Sequence, residues 1–230
     1  MREIVLDTET TGMDPAKGDR IVEIGCLELI NYMPTQKTFW HYINPERDIP
    51  LEAQAVHGIS NEMVKDKPTF IEIVGDFLDF IGDDTLIIHN AEFDLKFLNH
   101  HLKEGGYAAI SNRRVVDTLM LARQKFPGQS ASLDALCRRF GIDLSARADY
   151  HGALLDSRLL ADVYLELKGG RQQGLALDTA TATSSPILDT AHVDTAPQQK
   201  RKHRKFPAKK AEIEAHGDMV KKLKNALWSA

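Results

Sequence analysis

The hydrophobic pattern begins with an unbroken apolar run, Ile4-Val5-Leu6, which reads as a buried strand and ends on Asp7 and Glu9, one residue apart. A nearly all-apolar stretch over 21–29 and an aromatic, β-branched stretch over 37–43 predict two more strands, stopped by Asn44-Pro45. Three strands in succession with short connections predict an antiparallel meander. The period then lengthens. Short helical segments are expected over 51–57 and 60–65, and a longer one over 69–81, where Ile73, Phe77, Phe80 and Ile81 recur at helical spacing. A short central strand, 86–88, runs into His89-Asn90 and a helix carrying Phe93, Phe97, Leu98 and Leu102.

Residues 115–116 form another short strand, and Asp117-Thr118 reads as the N-cap region of a helix that Pro127-Gly128 ends. One helix starts at 132 and stops near Gly141, and a last one spans 152–167 with Leu155, Leu159, Val163 and Leu167 on one face. Strands first, then strand–helix alternation, predict the α/β class: a mixed sheet flanked by helices. Gly169-Gly170 closes this domain. Beyond it, 179–199 is rich in Thr, Ala, Ser, Pro and Asp and reads as a flexible linker, 200–210 is a basic run, and helical periodicity returns over 211–228. The expected organisation is a domain over 1–170, a linker over 171–210 and a terminal segment over 211–230.

Charge divides at the same place. Residues 1–170 hold 18 Lys and Arg against 27 Asp and Glu, a balance of −9; residues 171–230 hold 11 against 6, a balance of +5. If the acidic front part handles a polyanion, it does so through metal ions and shape rather than a broad positive field. The N-terminal Met-Arg-Glu lacks the apolar stretch of a signal peptide, and no run of about 18 apolar residues exists. Cys26 and Cys137 have no Cys or His partner nearby in sequence and read as buried free thiols. A cytoplasmic protein without a membrane span is expected.

Candidate chemistry starts at the first strand. Residues two apart on a strand point the same way, so Asp7 and Glu9 project together. Buried together, two anions are costly unless cations neutralise them. Asp94 falls in the first turn of the helix after 86–88, where an acid also suits the helix dipole. His151 precedes the last helix, and Asp156 lies in it. Singly, each has an ordinary structural explanation. Together they supply the oxygen ligands that hard Mg²⁺ or Mn²⁺ ions take, with an imidazole that can accept a proton from water near neutral pH. Two such ions about 3.5–4 Å apart clamp an in-line phosphoryl displacement.

Asp7-Thr8-Glu9-Thr10-Thr11-Gly12, Asp94 within His89-Asn90-Ala91-Glu92-Phe93-Asp94, and His151 five residues before Asp156 resemble the motifs of the DEDDh 3′→5′ exonucleases, in that order, over residues 2–168. The resemblance implies a ribonuclease-H-like fold. It implies Asp7, Glu9, Asp94 and Asp156 as ligands of two Mg²⁺ or Mn²⁺ ions and His151 as general base. It also implies that Glu52 and His57, with Thr10, Asp7, Glu9 and Asp156, contact the terminal nucleotide. Asp117 and Asp149 are read as a helix cap and a loop acid.

The tail separates relatives. Its layout is similar to that of the proofreading subunits of bacterial replicative DNA polymerases. In that group a glutamine motif docks on the sliding clamp, here Gln172, Leu175 and Leu177, and a C-terminal segment binds the polymerase catalytic subunit, here Leu223, Leu227 and Trp228. Leu177 stands where an aromatic is common, which weakens the expected clamp contact. The basic run reads as a solvated charge block or a DNA contact, and the hexapeptide also reads as plain linker. The expected activity is removal of nucleoside monophosphates from single-stranded or frayed 3′ DNA ends, with a small accessory subunit as a further partner. The alternatives are an RNA 3′-exonuclease of the same fold, or a subunit that mainly bridges a replication complex.

Overall fold

Five strands form one sheet in the order β3-β2-β1-β4-β5. In this computed structural model, residues 1–147, 151–170 and 209–222 are described. The strands are β1 (Arg2–Thr10), β2 (Ile21–Ile30), β3 (Met33–Tyr42), β4 (Thr85–Ile88) and β5 (Val115–Asp117). The helices are α1 (Leu51–His57), α2 (Asn61–Val64), α3 (Phe70–Ile81), α4 (Ala91–Glu104), α5 (Thr118–Lys125), α6 (Leu133–Phe140), α7 (Ala153–Leu167) and α8 (Lys210–Lys222). The predicted meander is present, since β1 pairs antiparallel with β2 and β2 antiparallel with β3. On its other side β1 pairs parallel with β4, and β4 parallel with β5. β1 is thus the central strand, and the sheet changes from antiparallel to parallel there. No helix among the described residues is long and apolar enough to cross a membrane.

Alternation on the strands divides the apolar residues between the two faces. Ile4 and Leu6 of β1 pack with Phe77 of α3 and Phe97 of α4 on one face. Val5 packs with Leu136 of α6 and Leu160, Val163 and Tyr164 of α7 on the other. Each of these fully buried aliphatic or aromatic side chains contributes about 1.5–3 kcal/mol relative to exposure. A third, smaller cluster joins Val22 to Ile49, Ile59 and Val64 under α1 and α2.

β3 starts four residues earlier than expected, because the β2–β3 connection is a two-residue turn. Asn31 and Tyr32 take positive φ, 51° and 68°. The absence of glycine hid this hairpin from the sequence. Gly25, by contrast, is required by contact: a Cβ there would lie 2.4 Å from the carbonyl carbon of Ala153 and from Leu154 N. Its missing side chain lets the first turn of α7 lie directly on β2. Both cysteines are buried and free, and burial pushes the Cys137 thiol up to about 11. Asp149 falls outside the described residues, as do Gln172, Leu175, Leu177, Leu223, Leu227, Trp228 and most of the basic run. α8 spans Lys210–Lys222, and the remainder of the segment expected to be helical lies outside the described residues.

Candidate active site

The C-terminal end of β1 carries the first two carboxylates. Glu3, Val5, Asp7 and Glu9 share the face toward α7, and Thr8 and Thr10 point the other way. Asp7 and Glu9 are half-buried, and opposite them in the ladder stand Gly25 and Glu23.

α4 brings the third. Both Glu92 and Asp94 lie in its first turn, but Glu92 is exposed while Asp94 is only 3% exposed. Thr8 Oγ1 donates to Asp94 Oδ1 at 2.7 Å. The turn into α4 is set by Asn90 in the left-handed region, φ 64°. Asp117 secures that turn. Its carboxylate accepts the backbone N–H groups of Asn90 (3.1 Å) and Ala91 (3.2 Å), while capping α5 through Leu119 N at 2.8 Å. The helix cap expected at Asp117 therefore also orients the strand-to-helix turn that delivers Asp94.

α7 supplies the fourth. Asp156 is buried one turn into the helix, and His151, more exposed, sits two residues ahead of it. Arg147 bridges the pair. Its Nε and Nη2 donate to Asp156 Oδ1 and Oδ2, both at 2.6 Å, and Nη2 also donates to His151 Nδ1 at 2.8 Å. Arg147 pairs with Asp134 as well. A guanidinium has no acceptor, so His151 Nδ1 accepts in this arrangement.

The electrostatics follow from crowding. Burial holds the Asp7 carboxyl well above its usual range, and the charges of Asp94, Glu9 and Asp156 push it the same way. Burial, Asp156 and Glu23 raise Glu9 to about 8. Burial raises Asp94 to about 7 against the pull of the Thr8 hydroxyl. Arg147 lowers the first two, but one guanidinium cannot balance four carboxylates.

Such a cluster of raised acids fits a divalent cation, whose charge would return them to the ionised form. The donor chemistry agrees: ligand atoms of Glu9, His151 and Asp156 lie within 4.8 Å of one another, and carboxylate oxygens suit a hard ion. This group leaves out Asp7 and Asp94, although the charges of Asp94, Glu9 and Asp156 act on the Asp7 carboxyl.

A cleft of about 390 Å³ opens beside Glu9, walled by Thr10, Met13, Glu52, Val56, His57 and Phe93. Thr10, Glu52 and His57 were expected around a nucleotide; Met13 and Phe93 were not. His57 is buried, accepts the Ile59 N–H on Nδ1 at 3.0 Å, and has no hydrogen-bond partner for Nε2 among the described residues. Sequence reasoning also missed Arg147, although a basic residue four positions before His151 was a visible signal.

Carboxylates gathered at one end of a mixed sheet, with a histidine and a largely apolar cleft beside them, fit a nuclease of ribonuclease-H-like fold. The exonuclease (RNase T type) family matches residues 4–164. The DNA polymerase III subunit epsilon of Rickettsia felis is 51% identical over 203 residues, covering 86% of this chain and 87% of that one. The protein of the same description from Escherichia coli K12 is 41% identical over 241 residues, covering 100% and 98%. Among solved structures, Exonuclease X in complex with 5′ overhanging duplex DNA is 25% identical, with a TM-score of 0.58 over 72% of this chain and 90% of that one. The chain belongs to the exonuclease family and stands within it among the DNA polymerase III epsilon subunits. It is an exonuclease, a hydrolase of phosphodiester bonds at chain ends.

Proposed function

We propose that the chain is the proofreading 3′→5′ DNA exonuclease of a replicative polymerase, acting in the cytoplasm and releasing nucleoside monophosphates. The observation that supports this reading is the approach of Glu9, Asp156 and His151 to within 4.8 Å of one another, with the charges of Asp94, Glu9 and Asp156 acting on Asp7, beside a cleft walled by Thr10, Glu52 and His57. Asp7, Glu9, Asp94 and Asp156 would hold two Mg²⁺ or Mn²⁺ ions. Bound there, the ions supply Lewis-acid stabilisation of the charge that builds up on the phosphate.

The chain's own groups do the rest. The cleft receives one unstacked nucleotide, with Met13, Val56 and Phe93 against the base and sugar and His57 Nε2 free to meet a polar atom. A single-nucleotide cleft favours mismatched ends, because a mispaired terminus costs less to unpair. His151, more exposed than Asp156 and two residues outside α7, takes a proton from the attacking water. To do so through Nε2 the ring leaves its contact with Arg147, since Nδ1 must then carry a hydrogen.

The segment after Gly170 tethers this domain. In this reading Gln172, Leu175 and Leu177 touch the sliding clamp, while Leu223, Leu227 and Trp228 bind the polymerase catalytic subunit. Degradation of 3′-labelled primers tests the whole reading, using matched DNA, mismatched DNA and RNA with the full chain and Mg²⁺. Faster removal of a mismatched DNA end is expected. Preference for RNA would make it a 3′-exonuclease of RNA, and no cleavage at all would leave a bridging subunit.

A further inference from the structure

Glu23 lies in β2 opposite Glu9, is 3% exposed, and has no basic side chain bonded to it among the described residues. A buried carboxylate is costly unless donors satisfy it, and here two do. Oε1 accepts the indole N–H of Trp40, from β3, at 2.6 Å. Oε2 accepts the backbone N–H of Ala153 at 3.0 Å.

Ala153 is the first residue of α7, so its N–H is one of those a helix leaves without an internal partner. The N-cap position is Gly152, which has no side chain to supply the missing acceptor. Glu23 supplies it from the neighbouring strand. A second attachment follows two residues along β2, where Gly25 O accepts Ser157 Oγ at 2.9 Å. Between these two points lies Asp156, whose own N–H bonds Gly152 O at 2.8 Å; His151 immediately precedes the cap.

We propose that Glu23, held by Trp40, is a positioning residue of the nuclease: it caps α7 from β2 and thereby places His151 and Asp156 against Asp7 and Glu9. The proposal rests on the roles given above to His151 and Asp156. Misplacing such groups by about 1 Å can cost about 10²-fold in rate, and substituting the partners that orient metal ligands typically costs about 10–100-fold.

The two donors make a sharp test. Glu23→Gln preserves shape but offers one acceptor oxygen, so its amide N–H₂ must face either Trp40 or Ala153, donor against donor. Trp40→Phe removes one donor and lets the amide turn its oxygen to Ala153. Single-turnover cleavage at saturating Mg²⁺, DNA KM and thermal melting are measured for the full-length wild type, E23Q, W40F, W40F/E23Q and H151Q.

Expected are a rate about 10–100-fold down in E23Q with little change in KM, a smaller loss in W40F, and W40F/E23Q faster than E23Q. A fall in rate at unchanged KM and melting temperature is what a role in general stability would not produce, and the non-additive recovery assigns it to the Glu23–Trp40 contact. An E23Q rate equal to wild type, or a double variant no faster than E23Q, would overturn the proposal. Should E23Q fail to fold, W40F/E23Q must fold and cleave; failure of both overturns it too. H151Q separates the two levels. If it cleaves at the wild-type rate, the assignment of the base is wrong; if it is slow while E23Q is unaffected, only the role of Glu23 falls.

Discussion

Thr8 and Asp94, 86 positions apart in sequence, are joined by a buried hydrogen bond of 2.7 Å from the threonine hydroxyl to the carboxylate. Thr8 faces away from Asp7 and Glu9, so β1 addresses the acid cluster from both of its faces. Thr8→Val keeps the shape and removes the donor. A hydrogen bond to a charged group is worth about 1.5–3 kcal/mol, so Asp94 should move further above its present value of about 7. Half-maximal cleavage should then require more Mg²⁺ and a higher pH, which a metal titration at several pH values reads directly. An unchanged metal dependence would remove Thr8 from the account.

Asp7→Ala is expected to bring cleavage to background while leaving the fold intact. Burial and three other acids raise the Asp7 carboxyl, so removing it relieves desolvation and repulsion rather than breaking a contact. Asp7→Asn should therefore melt at a higher temperature than wild type in the presence of a chelator. Substantial activity in D7A with Mg²⁺ present would break the proposed ligand set.

For His151 the expectation is kinetic. His151→Gln should bind DNA and metal much as wild type does, yet cleave about 10²–10⁴-fold more slowly in a single turnover, the cost of a lost general base. Binding by fluorescence anisotropy and rapid-quench cleavage separate these effects.

Most of the fold was legible because each element announces itself locally. The three-residue apolar run before Asp7 and the helical spacing of Ile73, Phe77 and Ile81 fix a strand and a helix without any knowledge of their neighbours. Asp94 was visible by its place after a short apolar strand, but only burial separates it from Glu92 two positions earlier. Glu23 was passed over inside an almost wholly apolar strand. A charged residue there was itself the signal, since it needs partners that sequence cannot name. The partners, Trp40 and Ala153, are 17 and 130 positions away, and no local period encodes such distances. Met13 and Phe93 were missed for the same reason: they meet across the cleft, not along the chain.

The raised acids fix how stability varies with pH. Glu9 goes from 4.5 to about 8 and Asp94 from 3.8 to about 7, so without metal the folded state keeps protons that the unfolded chain has released. Their contribution is greatest at low pH and falls as pH rises from about 4 to about 8. Divalent ions replace those protons, so stabilisation by Mg²⁺ should grow over the same span. Melting curves with chelator and with Mg²⁺, near pH 6 and near pH 8, should diverge at the higher pH. Equal gains at both would contradict the assigned couplings.

Ending the chain at Gly170 should leave a folded, active nuclease that no longer associates with its polymerase. The buried residues of the three clusters end at Tyr164, and about 170 residues suffice for one core. Circular dichroism and primer degradation check the first half, and co-purification with polymerase the second. A fragment that stayed with polymerase as tightly as the full chain would place the contact within 1–170.

α7 docks on β1 and β2, so the site is closed by the residues of the domain that are made last. A ribosome that has extruded β1 through α6 has produced the Asp7, Glu9 and Asp94 carboxylates but neither His151 nor Asp156. Nuclease competence therefore arrives in one step, near the end of the domain's synthesis. No shorter nascent chain carries the complete set proposed to cut DNA.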